Sequence, residues 1–197
     1  KIHFPERWRF SEDLDFTVKG NIEDFDNLKS ILREALNRIS EESGIDFTIR
    51  NLHTNPDYAQ IKVQYDAILQ QKNTSNLDVF AGEEIYFDVQ TVKHSLEDIP
   101  EFEVMVYPIE EILVEKLRSL FQRARARDYF DLYHMIAYRD FDKERIRKAL
   151  IEKSKDRKVE LNMDKFSHQT ENVQSYWDKA LDRLTSSKPE FNKVNNI

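Results

Sequence analysis

Two aspartates alternate with apolar residues in the segment 13–18, which reads Asp-Leu-Asp-Phe-Thr-Val. This period of two predicts a β-strand that places Asp13 and Asp15 on one face and the apolar side chains on the other. Their Cβ atoms are expected ~6–7 Å apart along the strand. Because two such carboxylates repel each other unless a cation lies between them, and because oxygen-only ligands suit Mg²⁺ or Mn²⁺, the pair predicts a divalent metal site. A strand face that merely contacts water is the alternative.

A third aspartate, Asp88, lies in the middle of a strand predicted over residues 84–92, where aspartate is disfavoured. If this strand pairs with the first, Asp88 joins Asp13 and Asp15 on one surface. Three convergent carboxylates are typical of phosphoryl or nucleotidyl transfer, in which paired cations clamp the attacking and leaving oxygens. For Asp88 alone, an exposed strand residue without a role stays an open interpretation.

A lysine lies inside the apolar stripe of a helix predicted over residues 109–126. At about 100° per residue, Lys116 falls on the apolar face, and Arg123 and Arg127 continue the same row toward the helix end. A lysine on a buried face is costly unless it meets an anion. The basic row suits triphosphate oxygens, which arginine contacts bidentately and lysine contacts as a point charge. The alternative is an internal salt bridge between Lys116 and a carboxylate of the sheet.

Other residues carry weaker signals. Asp128 lies in the first turn of the following helix, where the helix dipole alone favours an acidic residue, so periodicity assigns it no chemical role. Ser11 precedes the first strand and either caps a turn or donates to a phosphate oxygen. The five His lack metal-ligand spacing, and no serine-hydrolase elbow, phosphate-binding loop or dinucleotide fingerprint occurs.

The elements that must position these residues fall into two predicted domains, an α/β domain over 1–107 and a helical domain over 108–197. The predicted fold class is α+β, a small mixed or antiparallel sheet with helices followed by a C-terminal helical bundle. Gly44 is the expected C-cap of the first helix, and Pro108 is expected in the first turn of the second. The predicted strands are 13–18, 45–52, 58–69, 84–92 and 103–107. The predicted helices are 22–43, 109–126, 128–138, 142–153, 162–168 and 169–186, with a loop at 70–78 and a frayed tail from 187.

The composition is that of a globular chain in a reducing compartment. The 197 residues are 40% hydrophobic and 34% charged, with no Cys, which excludes disulfides, thiolate metal sites and cysteine nucleophiles. The sequence has no apolar run of membrane-spanning length and no leader peptide, so a cytoplasmic protein is expected. A net charge of −7 excludes a generic nucleic-acid coat, although a local basic patch stays compatible with it.

Three segments, in the same order along the chain, together resemble a known family. Residues 9–16 (Arg-Phe-Ser-Glu-Asp-Leu-Asp-Phe), residues 107–118 (beginning Tyr-Pro-Ile-Glu-Glu) and residues 127–132 (Arg-Asp-Tyr-Phe-Asp-Leu) are similar to signatures of the AbiEii-type nucleotidyltransferases, a branch of the polymerase-β-like superfamily. In the third segment Phe130 replaces the tyrosine that is usual there. The resemblance implies a nucleotidyltransferase fold and a toxin of a type IV toxin–antitoxin or abortive-infection system.

The resemblance also implies roles for individual residues. Asp13 and Asp15 would hold Mg²⁺ or Mn²⁺, Ser11 would contact phosphate, and Asp88 would be a third carboxylate that deprotonates the acceptor hydroxyl. Lys116 would bind the triphosphate and Asp128 would take the remaining polar position. The implied reaction transfers a nucleoside monophosphate from an NTP to a hydroxyl of RNA, such as tRNA, or of a protein. A cognate antitoxin is an implied partner, and the arginines near the end of the predicted helix are the candidate RNA contacts: Arg118, Arg123, Arg125 and Arg127.

One feature of the family is expected to be missing. Its Gly-Gly turn, whose backbone amides cradle phosphates, should precede the first strand, yet the sequence contains no Gly before Gly20. The N-terminal part of the domain is therefore expected to be incomplete. Two alternative functions follow, a catalytically inactive nucleotide-binding module on the same fold and a metal-dependent phosphohydrolase or nuclease that uses the same carboxylates.

Overall fold

The chain divides into two compact units, each described here by itself. The computed structural model describes residues 3, 9, 13–18, 25–66, 71–96 and 99–196. The sheet unit is Ser11–Glu84, and the helical unit combines Lys1–Phe10 with Ile85–Ile197. This division differs from the predicted boundary after residue 107, because a hairpin predicted to belong to the sheet domain groups with the helices.

The described residues of the sheet unit form one helix and four strands. In chain order these elements are β1 (Asp13–Val18), α1 (Phe25–Ser43), β2 (Phe47–Asn55), β3 (Tyr58–Asp66) and β4 (Lys72–Ala81). The strand order is β1-β4-β3-β2, with β1 parallel to β4 and β3 antiparallel to both of its neighbours. The mixed α+β fold class predicted from the sequence is therefore confirmed.

Helix α1 supplies the apolar cover for one face of this sheet. Its leucines Leu28, Leu32 and Leu36 recur every four residues and pack on a buried cluster that includes Ile61 and Val79. Gly44 ends the helix with a φ of +69°, and its N–H donates to the Ser40 carbonyl at 2.9 Å, so the predicted C-cap is confirmed.

A register shift in β2 keeps the apolar side chains of that strand on the same side of the sheet. Ile49 pairs with Val63 and Asn51 pairs with Lys62, which leaves Arg50 as the extra residue of a bulge. The bulge allows apolar residues both before and after it to face α1. The opposite face of the sheet, called here the open face, is polar.

The predicted loop over residues 70–78 is wrong, because β4 begins at Lys72. Its first half is the polar run Lys-Asn-Thr-Ser-Asn, which has low strand propensity on its own. Pairing with β3 over residues 72–80 and with β1 from Asn76 onward satisfies the backbone of β4, so the tertiary setting overrides local preference. This strand matters for the site because it carries Asp78.

In the part of the helical unit that the structure describes, there are a hairpin and five helices. In chain order these elements are β5 (Gln90–Leu96), β6 (Ile99–Val106), α2 (Ile109–Gln122), α3 (Ala126–Tyr138), α4 (Lys143–Asp156), α5 (Met163–Leu181) and α6 (Phe191–Asn195). Strands β5 and β6 pair antiparallel with each other. Pro108 directly precedes α2, as predicted from its place in the sequence.

Three helix predictions need correction. Helix α2 ends at Gln122, four residues early, because Ala124 takes a φ of +41° and is buried in the turn before α3. The two helices predicted over 162–168 and 169–186 are the single helix α5. The tail predicted to be frayed contains α6, whose Phe191 and Val194 are buried in the core of the unit. Among the described residues, none of the helices is long and apolar enough to cross a bilayer.

Candidate active site

Asp13, Asp15 and Asp78 lie on two adjacent strands at the open face of the sheet unit. Asp13 and Asp15 alternate along β1 with residues that face the α1 side, and Asp15 stands directly opposite Asp78 of β4 in the parallel ladder. Neighbouring strands are about 4.8 Å apart, so the Asp15 and Asp78 side chains leave the sheet side by side. Asp15 is exposed, and Asp13 and Asp78 are half-buried. This carboxylate face, defined by Asp13, Asp15 and Asp78, is the candidate metal-binding surface.

The carboxylate face receives hydrogen bonds from neutral side chains. Asn76, opposite Asp13 in the ladder, donates from Nδ2 to Asp13 Oδ1 at 3.1 Å. The Tyr58 hydroxyl and Gln60 Nε2 both donate to Asp78 Oδ1, at 2.7 Å and 2.9 Å. Neutral donors orient a carboxylate without cancelling its charge. These neutral donors therefore orient Asp13 and Asp78 without themselves neutralising the carboxylates.

The aspartates of the carboxylate face change the pKa of Tyr58. Burial, the hydrogen bond to Asp78 and the charges of Asp78 and Asp15 raise the pKa of Tyr58 to about 12. A phenol in such surroundings stays protonated across the physiological range. Tyr58 therefore acts here as a donor to Asp78.

The predicted grouping of Asp88 with Asp13 and Asp15 needs correction. Residues 83–89 form no strand, and the strand that follows, β5, pairs with β6. The neighbour of β1 is β4, and the carboxylate that β4 brings to the open face is Asp78. Asp88 is an exposed residue of a loop in the helical unit. The alternation Asn76-Leu77-Asp78-Val79 carried the signal for Asp78, but the loop predicted across residues 70–78 hid it.

The donor chemistry of the carboxylate face fits a hard divalent cation, since all the ligand atoms it offers are oxygens. Within the described ranges, no group of three His, Asp or Glu side chains is assembled to hold a metal ion by itself. Mg²⁺ in nucleotide-binding sites is ordinarily bound through one or two carboxylates together with substrate phosphates and waters. A face that binds the ion weakly by itself and more tightly together with a nucleotide satisfies both observations.

In the helical unit, Lys116 meets carboxylates of α3. Its Nζ lies 2.9 Å from Asp128 Oδ1 and 2.9 Å from Asp131 Oδ2. The salt bridge weighed as an alternative is present, with partners on a helix where a carboxylate of the sheet was expected. Asp128 is completely buried and Lys116 keeps about a fifth of its side chain exposed. Lys116, on the apolar face of α2, is therefore directed toward α3.

Two arginines complete this group, called here the Lys116 cluster (Arg9, Lys116, Arg123, Asp128 and Asp131). Arg9 contacts Asp131 bidentately, with Nε at 2.6 Å from Oδ1 and Nη2 at 2.7 Å from Oδ2. Arg123 Nε lies 3.6 Å from Asp128 Oδ2. Burial alone would raise the pKa of Asp131, but Arg9 and Lys116 outweigh it and hold that pKa below its ordinary value. Three cations face two carboxylates, so the cluster carries one formal positive charge.

The predicted basic row is not continuous on one helix. Because α2 ends at Gln122, Arg123 lies in the turn and Arg127 belongs to α3. Arg123 is 43% exposed and Arg127 is half-buried. Ser11, the remaining predicted phosphate contact, lies outside the described residues. Arg9 and Asp131 were missed as members of the cluster because the sequence does not show that residues 122 positions apart meet.

A second buried ionic group, the Glu111 cluster (Glu111, Glu115, Arg118 and Lys153), lies between α2 and α4. Lys153 Nζ contacts Glu111 Oε1 and lies 2.7 Å from Glu115 Oε1. Two nitrogens of Arg118 donate hydrogen bonds to Glu115 Oε2. Burial would lower the pKa of Lys153, but the two glutamates outweigh it and the pKa is raised. The Glu111 cluster joins two helices, which is a structural role.

The same cluster fixes the loop before β5. Glu111 Oε2 accepts the backbone N–H groups of Tyr86 and Phe87 at 2.9 Å and 3.1 Å. Glu111 thus satisfies three donors while its side chain is 0% exposed. Glu115 and Arg118 are both mostly buried, although they carry charges.

Comparison with known proteins agrees with the resemblance seen in the sequence. The family model described as nucleotidyl transferase AbiEii toxin, type IV toxin–antitoxin system, matches residues 1–195. No curated protein sequence matches the chain.

A solved structure has a similar fold. It is MenT4, described as nucleotidyltransferase toxin Rv2826c from Mycobacterium tuberculosis H37Rv, with a TM-score of 0.53 and 18% sequence identity. The match covers 94% of this chain and 56% of the MenT4 chain. At this identity the likeness concerns the fold, and the chain spans little more than half the length of that relative.

Proposed function

Because the chain belongs to the AbiEii family of nucleotidyl transferase toxins of type IV toxin–antitoxin systems, we propose that it transfers a nucleoside monophosphate from an NTP to an acceptor hydroxyl. The acceptor is a hydroxyl of RNA, such as tRNA, or of a protein, and a cognate antitoxin in the cytoplasm restrains the activity. The observation that carries the proposal is the carboxylate face, where Asp15 and Asp78 stand side by side on parallel strands with Asp13 on the same face.

The carboxylate face is the proposed binding site for Mg²⁺ or Mn²⁺ together with the triphosphate. Asp13 and Asp15 hold the ion, which supplies charge neutralisation at the reacting phosphate. Asp78 takes the place that the sequence prediction gave to Asp88, as a third carboxylate that would both help to hold the ion and accept the hydroxyl proton. The hydroxyl oxygen bonds to the α-phosphorus, the bond to the β-phosphate oxygen breaks, and pyrophosphate leaves.

The Lys116 cluster is the proposed phosphate contact of the helical unit. Asp128 and Asp131 hold the Lys116 ammonium in one position, and Arg123 keeps 43% of its side chain exposed. A cation that is already fixed loses little conformational entropy when it binds an anion. Lys116, Arg123 and Arg127 are thus proposed to bind NTP phosphates, Ser11 keeps its predicted phosphate contact, and Asp128 acts by holding Lys116.

The transfer reaction is tested by incubating the full chain with each NTP labelled at the α-phosphate, Mg²⁺ and total RNA or protein. We expect label to enter a macromolecule while unlabelled pyrophosphate is released. Asp15→Asn should lower the rate at least about a hundredfold, equivalent to about 2.7 kcal/mol in the barrier, because it removes a charge from the ion's ligands. Asp57→Asn, at an exposed turn position between β2 and β3, should keep the wild-type rate.

Three other results would contradict the proposal. RNA cleavage without label transfer would identify a metal-dependent nuclease that uses the same carboxylates. Absence of calorimetric heat with millimolar NTP and Mg²⁺, for all four nucleotides, would contradict nucleotide binding altogether. Binding heat without any label transfer would leave a nucleotide-binding module.

The Lys116 cluster has its own test in the dependence of the transfer rate on NTP concentration. Lys116→Met should raise KM for the NTP about tenfold or more, because one charge-assisted contact is lost. Lys116→Arg, which keeps the charge, should recover part of the loss, and Lys148→Met at an exposed site of α4 should leave KM unchanged. An unchanged KM for Lys116→Met, accompanied by a lower free energy of unfolding, would show that the lysine serves only the packing of α2 on α3.

A further inference from the structure

Three side chains on the open face form a closed triangle of hydrogen bonds. The Tyr58 hydroxyl donates to Asp78 Oδ1 at 2.7 Å, Gln60 Nε2 donates to the same oxygen at 2.9 Å, and Gln60 Nε2 also lies 3.1 Å from the Tyr58 hydroxyl oxygen. Two donors converging on one carboxylate oxygen fix both the rotamer of Asp78 and the rotation of its carboxyl plane.

The sheet itself holds the two donors in place. Gln60 is the direct ladder partner of Asp78, and Tyr58 is the partner of Phe80, the next residue of β4 on the same face. The Tyr58 and Phe80 rings pack with their centroids 5.0 Å apart. Because the cross-strand ring contact fixes the phenol, its hydroxyl reaches Asp78 without the aid of a loop.

The triangle leaves the two oxygens of Asp78 in different settings. Both donors reach Oδ1, so Oδ2 is the oxygen that they leave to other contacts. On the other side of β4, Asp15 of β1 stands opposite Asp78 in the ladder. Two like charges in directly opposite positions destabilise a sheet unless something neutralises them. A cation between Asp15 and Asp78 Oδ2 would relieve this repulsion.

We infer that Tyr58 and Gln60 are positioning residues that hold Asp78 by Oδ1 and direct Oδ2 to the divalent cation shared with Asp15. The inference rests on the proposed function, because the cation site is part of it. Neither residue contacts substrate in this scheme. Their effect reaches the ion through Asp78, in the way that outer-sphere hydrogen bonds orient metal ligands in other sites.

The test is a titration of the full chain with Mn²⁺ alone, in which electron paramagnetic resonance measures the free aqueous ion. Tyr58→Phe keeps the ring on Phe80 and removes the hydroxyl that orients Asp78, so we expect about tenfold weaker Mn²⁺ binding. Gln60→Leu removes the other donor and should weaken binding in the same direction. Asp15→Asn and Asp78→Asn should weaken it more than either.

A matched control lies on the same strand. Tyr65→Phe makes the same chemical change on the face of β3 that packs against α1, where Tyr65 contacts Phe47, and should leave Mn²⁺ binding unchanged. The thermal unfolding midpoint of the metal-free protein is measured for every variant. A merely structural role for the Tyr58 hydroxyl would shift that midpoint and leave Mn²⁺ affinity as it is in the wild type.

The outcomes separate failure of the inference from failure of the proposed function. Weaker Mn²⁺ binding by Asp15→Asn and Asp78→Asn, with wild-type binding by Tyr58→Phe and Gln60→Leu, overturns the positioning role and leaves the cation site intact. Equal affinity of the wild type and Asp15→Asn for Mn²⁺ overturns the cation site and the positioning role together. Weaker binding by both donor variants, with Tyr65→Phe unchanged, supports the inference.

Discussion

The two units differ in the partners that they give to their carboxylates. In the Glu111 cluster of the helical unit, glutamates are buried and each contacts a lysine or arginine directly. On the carboxylate face of the sheet unit, Asp78 accepts its hydrogen bonds from a phenol and an amide, and Asp15, its ladder partner, is exposed. The Glu111 cluster is internally neutralised, whereas Asp78 is held by neutral donors.

This difference separates charges that maintain the fold from charges available for chemistry. A buried carboxylate without a cation costs several kcal/mol, so the cations of the Glu111 cluster are needed for the helices to pack. A half-exposed carboxylate held by neutral donors stays accessible to a metal ion. Mutations in the first group should therefore change stability, and mutations in the second should change metal binding and activity.

The largest stability effect is expected at Lys153. Lys153→Met leaves Glu111 fully buried without its cation, so the free energy of unfolding should fall by about 3–5 kcal/mol, as measured by urea denaturation. Lys155→Met is the matched control, because Lys155 pairs with Glu152 at 2.8 Å on the exposed surface of the same helix. Its effect should stay below about 0.5 kcal/mol.

A small effect of Lys153→Met on the free energy of unfolding would contradict the contrast between the Glu111 cluster and the carboxylate face. If the unfolding free energy changed by less than about 1 kcal/mol, Glu111 would have to be neutral or hydrated in the variant. The structural account of the Glu111 cluster would then be wrong. A large loss of unfolding free energy, with unchanged Mn²⁺ binding per folded molecule, would instead support the view that the Glu111 cluster maintains the fold and the carboxylate face binds the metal.

The elements with strong local signals could be predicted from the sequence. Strand β1 was predicted with its bounds, Asp13–Val18, from strict alternation, and the end of α1 at Ser43 followed from Gly44. The helix starting after Pro108 was predicted by the same kind of local chemistry. In each case a residue's own backbone preference or a short-range period agrees with the tertiary fold.

The failures arose where distant partners decide the structure. Strand β4 has a polar first half and forms because two neighbouring strands pair with it, so Asp78 was hidden and Asp88 took its place in the prediction. Periodicity placed Lys116 on the packed face of α2 but could not name Asp128 and Asp131 as its partners, since that requires the packing of α2 on α3. The secondary-structure propensities of single residues carry no information about which strands pair or which helices pack together.

The smallest effect on stability is expected for Asp15→Asn, and this variant tests the role of the carboxylate face. Asp15→Asn changes an exposed side chain, so in chelator-treated protein the unfolding free energy should stay within about 0.5 kcal/mol of the wild type. Mn²⁺ at ten times its dissociation constant should stabilise the wild type by about 1.4 kcal/mol through ligand binding to the folded state, and should not stabilise the variant at that concentration. The Asp57→Asn control should respond to Mn²⁺ like the wild type. If Asp15→Asn destabilised the metal-free protein by several kcal/mol, Asp15 would belong with the fold-maintaining charges, and the distinction between the two groups would be lost.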